Sequence, residues 1–237
     1  MGLVFLDNDH PEIFPDPTQA DDSGLVAVSK GLGTTRLMAA YRQGIFPWMK
    51  LGYPPYLWCW YSPNPRMLLY PHEFKISRSL SRAIKRKNFE IRINYNFAKV
   101  MHSCANINRP DQEKSWIEPD MQSDYELLHE QGVAHSIEAY QDNELVGGLY
   151  GLAIGKAFFG ESMFHRISDA SKVCMARLVE IARREGFHFI DCQVSSSFLQ
   201  SLGARKVPRS IFLSQLADAT TQSGANCNWD FLSQNID

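Results

Sequence analysis

Apolar residues along this chain recur with two periods, and the switch between them marks where helices give way to strands. Leu37, Met38 and Tyr41 share one helical face, with Thr34 as the cap and Gly44 as the stop. Ser77 caps a second helix over residues 78–86. Helices over 97–105 and 121–130 follow, the latter ended by Gly132. From His135 the period drops to two: strands over 135–140, 144–154 and 157–162 are separated by turns at Asp142-Asn143 and Gly155-Lys156. Ser168 or Asp169 then caps a strongly amphipathic helix with Cys174, Met175, Leu178, Ile181 and Ala182 inward and Gly186 as its stop. Residues 187–194 read as a buried strand, and a short helix over 210–217 precedes a polar tail. Antiparallel hairpins, a helix and a further strand predict an α+β arrangement from about residue 63 onward.

Two stretches escape both periods. The first 23 residues are acidic and rich in Pro and Asp, which predicts a loosely ordered lead-in. Residues 45–66 crowd aromatic and proline residues together, Trp48, Tyr53, Tyr56, Trp58, Trp60 and Tyr61 among them. That many rings without a period form either a packed seam between domains or an aromatic binding wall. The division follows: a small N-terminal domain over 1–62 and a larger C-terminal one over 63–237.

Composition changes this picture little. With 237 residues, 44% hydrophobic and 21% charged, the chain can bury a substantial core without staples. Its net charge of −2 advertises no partner, so a nucleic-acid surface would have to be local. One such locality exists. Arg78, Arg82, Lys85 and Arg86 fall on one arc of the second helix, Leu80 and Ile84 lie opposite, and Lys75 and Lys87 extend the positive end. A stripe of this kind is either a solvated helix face or a phosphate contact. The five cysteines form no C-x-x-C pair, no secretory signal is present, and no run approaches 18 apolar residues. The expectation is a cytoplasmic protein with reduced thiols and no membrane partner.

Several tempting motifs fail. The string from Gly151 to Ala157 resembles a P-loop, but its glycines are one residue too close and no Ser or Thr follows Lys156. The seven histidines make no HExxH or Cys/His quartet, and no G-x-S-x-G occurs, so no metal or cofactor is expected. Asp191 and Gln193 carry more information. On a strand they project together, about 6–7 Å apart along the chain, while Ile190, Cys192 and Val194 point the other way, into the core. A carboxylate in so apolar a strand must be partnered or line a cavity. An Asp salt-bridged to a nearby Arg is one reading and a reactive site the other. Glu161, set among Phe159, Met163 and Phe164, adds a second embedded acid.

These strings are recognisable together. Gly44-Ile-Phe-Pro-Trp48, Ser62-Pro-Asn-Pro-Arg66, Trp116-Ile117, His135-Ser-Ile-Glu138, Leu145 through Gly151, Gly160-Glu-Ser-Met-Phe164, Asp169-Ala-Ser-Lys172 and Ile190-Asp-Cys-Gln-Val194 resemble the leucyl/phenylalanyl-tRNA–protein transferases. The match runs in order from about Gly24 to Pro208. The resemblance implies a C-terminal domain like the GCN5-type acetyltransferases, and transfer of Leu or Phe, with Met a further candidate, from aminoacyl-tRNA to proteins bearing N-terminal Arg or Lys. Such a product is marked for degradation by the N-degron route.

It also implies roles. Asp191 and Gln193 carry the chemistry, Asp191 as the electrostatic and proton-accepting group and Gln193 as the group that positions the amine. Glu161 bonds the amino group of the aminoacyl residue, and Leu149, Phe158, Met163, Met175 and Leu178 wall its side chain. Trp48 and Trp116 stack on the terminal adenine. Lys75, Arg78, Arg82, Lys85 and Arg86 hold the acceptor stem through phosphates. The chain departs from the family pattern at Ser29–Gly33, at Tyr61 and at His165. A coenzyme-A-dependent acetyltransferase would need a glycine-rich loop opening the main helix, and residues 166–171 contain no glycine.

Overall fold

The computed structural model describes residues 3–52, 56–86, 88–107, 116–221 and 229. Among these, two sheets organise the chain. The smaller is antiparallel, in the order β1-β3-β2, built from β1 (Leu25–Ser29), β2 (Phe46–Leu51) and β3 (Leu57–Tyr61), with α1 (Thr34–Arg42) between β1 and β2. The larger has the order β10-β4-β9-β8-β7-β6-β5. Its strands are β4 (Arg66–Leu69), β5 (Glu90–Ile93), β6 (Ala134–Gln141), β7 (Glu144–Ile154), β8 (Ala157–His165), β9 (Phe189–Asp191) and β10 (Arg205–Val207). The remaining helices are α2 (Arg78–Lys85), α3 (Phe97–Asn106), α4 (Pro119–Glu130), α5 (Ala170–Arg184), α6 (Ser197–Ser201) and α7 (Arg209–Thr221). The fold is α+β.

The β6–β8 meander sets the frame. Asp142 and Asn143 take positive φ of 51° and 64°, the backbone that a two-residue hairpin turn requires. Alternate side chains then enter different cores. Ile137, Leu149 and Phe158 pack with α5, whereas Tyr150, Leu152 and Phe159 pack with α3, α4 and α7. Each buried Phe or Leu contributes about 1.5–3 kcal/mol, so a one-residue slip, which would exchange the two faces, is strongly disfavoured. Gly147 admits the start of α5, since a Cβ there would lie 2.6 Å from the Ala170 methyl. Helix α5 is also the crossover that lets β9 pair parallel to β8, while its other neighbours pair antiparallel.

Several expectations are corrected. The lead-in is partly ordered: Phe5 bridges Val28, Pro17–Gln19 forms a 3-10 turn, and buried Phe14 meets Trp60 edge-on at 5.1 Å. The aromatic stretch is the β2–β3 hairpin, with Trp58 and Trp60 in the core; Tyr53 to Pro55 lie outside the described residues. Ile84 is exposed, because α2 packs through Leu80. The strand expected over 187–194 stops at Asp191, and the helix expected over 210–217 extends through Thr221. Gly155 and Lys156 form the β7–β8 turn as expected, with the Lys156 ammonium on the Glu185 carbonyl. Cys59, Cys174 and Cys192 are free thiols, and Cys227 lies outside the described residues. No described helix is long and apolar enough to cross a membrane.

Candidate active site

The sheet opens where β8 and β9 part. The two strands pair from Ala157↔Phe189 to Phe159↔Asp191; beyond that point β8 continues to His165 while the other chain turns away. The gap is the mouth of a cavity of about 550 Å³. Gly160, Glu161, Ser162, Met163 and His165 line one side, and Ile190, Cys192, Gln193, Val194, Phe198 and Leu199 the other.

The turn at Gln193 is held in an unusual conformation. Gln193 has φ of 60°, a left-handed backbone that costs a non-glycine residue about 1–3 kcal/mol. Asp191 offsets this cost, its Oδ1 accepting the Gln193 N–H at 2.9 Å. Asp191 is in turn gripped by Arg66, whose Nε lies 2.9 Å from Oδ1 and Nη2 2.7 Å from Oδ2. Both side chains are fully buried. The Arg66 guanidinium sits between the rings of Phe46 and Phe212, at 4.7 and 4.6 Å, and donates to the Gly44 carbonyl. Gly44 itself has φ of 74° and leaves no room for a side chain beside Phe212.

From this turn the Gln193 side chain points back across the gap. Its Nε2 donates to Glu161 Oε1 at 2.7 Å. The other Glu161 oxygen accepts from the Tyr125 hydroxyl at 3.2 Å, and Tyr125 is hydrogen-bonded to Tyr41. Burial pushes the Glu161 carboxyl up to about 7; hydrogen bonds from the tyrosines and Gln193 oppose the rise, and the nearby Asp191 charge adds to it. Burial and the Glu161 charge hold both phenols well above their ordinary range.

The rest of the cavity is apolar. Leu149, Phe158, Met163, Met175 and Leu178 line it, as do Trp48 and Trp116. Trp48 is the extra residue of a β-bulge, since the β2–β3 register shifts between Pro47 and Met49. A bulge takes a residue out of the ladder and re-aims its side chain. The ring is supported edge-on by Tyr61 at 5.4 Å.

The structure thus brings Gln193, Glu161, Trp48, Trp116, Leu149, Phe158, Met163, Met175 and Leu178 to one cavity, and leaves Asp191 behind its wall. Asp191 and Gln193 do not alternate along a strand as expected, because β9 ends between them. Ile190 is buried in the core as expected and also reaches the cavity, whereas Cys192 and Val194, expected in the core, are only partly buried and line the cavity. Arg78, Arg82 and Lys85 are exposed on α2, Arg86 at its C-terminal cap and Lys75 just before it; Lys87 lies outside the described residues. From sequence, Tyr125 is one residue of a helix and Arg66 one residue of a motif. Neither carried a local signal, because their partners are 36 and 125 residues away. At the start of α5, Asp169 sets a carboxylate bonded to Lys172 where a pyrophosphate would need bare amides. Among the described residues no group of three metal-ligating side chains converges.

Comparison with known proteins agrees with these motifs. Residues 68–217 match the family model described as leucyl/phenylalanyl-tRNA protein transferase, and residues 32–64 match the one for its N-terminal domain. A leucyl/phenylalanyl-tRNA–protein transferase of Nitrosomonas eutropha is 47% identical over 92% of both chains. The protein of the same name from Myxococcus xanthus is 44% identical over 97% of both. Among solved structures, a GCN5-related N-acetyltransferase from Kribbella flavida aligns with 71% of this chain and 59% of its own at a TM-score of 0.38 and 9% identity. With half of the chain and more matched by one family model, and relatives this similar along nearly their whole length, the protein belongs to the leucyl/phenylalanyl-tRNA protein transferase family.

Proposed function

We propose that this protein moves leucine or phenylalanine from aminoacyl-tRNA to the α-amino group of proteins with N-terminal Arg or Lys, marking them for N-degron degradation in the cytoplasm. The observation that carries the reading is an apolar cavity with one carboxylate and one amide, Glu161 and Gln193, bonded to each other at 2.7 Å on its wall. The acyl side chain occupies the apolar part, against Leu149, Phe158, Met163, Met175 and Leu178. Such a wall discriminates weakly between hydrophobic side chains, a methylene being worth about 1–3 kcal/mol, which suits an enzyme accepting both residues. Glu161 bonds the amino group of the aminoacyl residue. Trp48 and Trp116 stack on the terminal adenine, and the α2 stripe with Lys75 follows the acceptor-stem phosphates.

The reaction is aminolysis of an activated ester. The acceptor nitrogen bonds to the acyl carbon, the bond from that carbon to the ribose oxygen breaks, and the proton lost from nitrogen ends on the ribose oxygen. Alignment of amine and ester supplies much of the acceleration. Gln193 positions the amine through its amide oxygen, a group too weakly basic to take the proton outright. Asp191 acts through Gln193: its carboxylate fixes the backbone turn and lends the site negative charge, with Arg66 holding it in place. No metal or cofactor enters the scheme.

Radiolabelled leucyl-tRNA offered with two peptides differing only in N-terminal Arg or Ala tests the reading. Label on the Arg peptide alone is the expected result. Free leucine without labelled peptide would make the protein a hydrolase, and bound tRNA without either product would make it an adaptor.

A further inference from the structure

Lys50 is a cation two residues from Trp48 on β2, yet it is not placed as a phosphate contact would be. Its ammonium lies 3.1 and 3.0 Å from the two Asp120 oxygens and 3.4 Å from Glu118 Oε2. It also sits 4.5 Å over the Trp58 ring, its cross-strand partner on β3. Asp120 takes a further hydrogen bond from the Trp58 indole at 3.1 Å. The lysine side chain is 17% exposed. Its charge is therefore balanced within the protein and turned away from a polyanion.

What these groups connect is informative. Lys50 stands two residues after the bulged Trp48 on β2. Glu118 and Asp120 stand two and four residues after Trp116, in the cap and first turn of α4. Trp48 lies outside the strand ladder, and Trp116 precedes the helix rather than belonging to it. Neither ring is spaced from the other by backbone pairing. The Lys50–Asp120 contact, anchored on buried Trp58, spans from one ring's support to the other's.

We propose that Lys50 and Asp120 are positioning residues: together with Trp58 they latch the β2–β3 hairpin to the start of α4 and set the gap between Trp48 and Trp116 in which the terminal adenosine of the tRNA is held. The inference rests on the stacking role given to the two tryptophans above. It has a consequence of unusual sign. Removing a carboxylate near a bound polyanion ordinarily strengthens binding, whereas loss of Asp120 here weakens it.

The test is steady-state kinetics with leucyl-tRNA on the full chain. Asp120→Asn and Lys50→Met are each expected to raise the KM for leucyl-tRNA about threefold to fivefold, the reach of a partly exposed ion pair. The KM for the acceptor peptide and kcat stay as they were, and Lys50→Arg restores most of the loss. The double variant Lys50→Met with Asp120→Asn does no more harm than either change alone, because both cut one latch. A lower KM in Asp120→Asn would overturn the proposal. So would a smaller salt dependence of binding in Lys50→Met, which would make Lys50 a phosphate contact, or an unchanged KM in both variants. Trp48→Ala and Trp116→Ala run alongside separate the two layers. If they leave KM unchanged, the adenosine reading fails and the latch with it; if they raise KM while the latch variants do not, the latch alone fails.

Discussion

Arginine is used in two opposite ways in this molecule. Arg66 on β4 is fully buried, forked onto Asp191 and flanked by Phe46 and Phe212, so it is held by groups from β2, β9, α7 and the turn after α1. Arg78 and Arg82 stand in solvent on α2, where only the helix beneath them is fixed. A buried charge has a large desolvation penalty and must be matched by its partner, which makes it suited to holding a turn in place. An exposed charge is cheap, mobile and screened by salt, which suits contact with a phosphate backbone whose sequence is not read.

The comparison is broken most directly at Arg66. Arg66→Met leaves the Asp191 carboxylate buried without its partner and is expected to destabilise the protein by about 3–5 kcal/mol. Urea unfolding measures it. A loss below about 1 kcal/mol, the range of a surface pair, would erase the contrast between the two arginine sites.

Glu161 sharpens the same contrast, because it is buried with neutral partners. A carboxyl ordinarily near 4.5 stands at about 7 in the folded chain. The stability it contributes is fully present below pH 4.5 and is lost as pH rises through about 7, a fall of roughly 3 kcal/mol for a shift of this size. Glu161→Gln should flatten that part of the stability curve, and should also remove an inflection near pH 7 from the pH profile of transfer. A curve of unchanged slope in the variant would show that Glu161 titrates elsewhere.

Smaller effects belong to less enclosed positions. Met163 lines the cavity but is only half-buried, so Met163→Ala should fold normally and shift acyl preference from Leu toward Phe by about tenfold, read from competition between the two charged tRNAs. The smallest structural effect is expected on α2. Arg78→Ala with Arg82→Ala should change stability by no more than about 0.5 kcal/mol, while the slope of log affinity for tRNA against log salt falls by about 1.8 for two lost phosphate contacts. An unchanged slope would return the stripe to a solvated helix face.

Where sequence succeeded, the signal was local. The turn residues at Asp142-Asn143, the cap at Ser77 and the face of α5 each depend on neighbours within a few positions, and each stands where it was expected. Where sequence failed, the cause lay farther off. β9 stops at Asp191 because the chain parts there from β8 and turns at Gln193, a turn fixed by Asp191 and Arg66 across 125 positions, while Cys192 and Gln193 keep backbone hydrogen bonds to Met67. Alternation alone placed Cys192 and Val194 in the core, where the structure leaves them partly buried on the wall of the cavity. Trp48 defeated the period test because a bulge takes it out of β2, and the rings of β3 because Trp58 to Tyr61 are buried on both faces.

By itself, then, the sequence determined most of the helices, the β6–β8 hairpins, the family and a set of candidate site residues, since propensity, turn chemistry and motif strings are properties of short stretches. Only the tertiary structure decided which of those side chains face the cavity and which stand behind it. Asp191 and Gln193 are two positions apart, yet one is sealed against Arg66 and the other reaches Glu161. That division comes from the parting of β8 and β9, and a parting of strands is set by the packing of whole elements, which no short run of residues encodes.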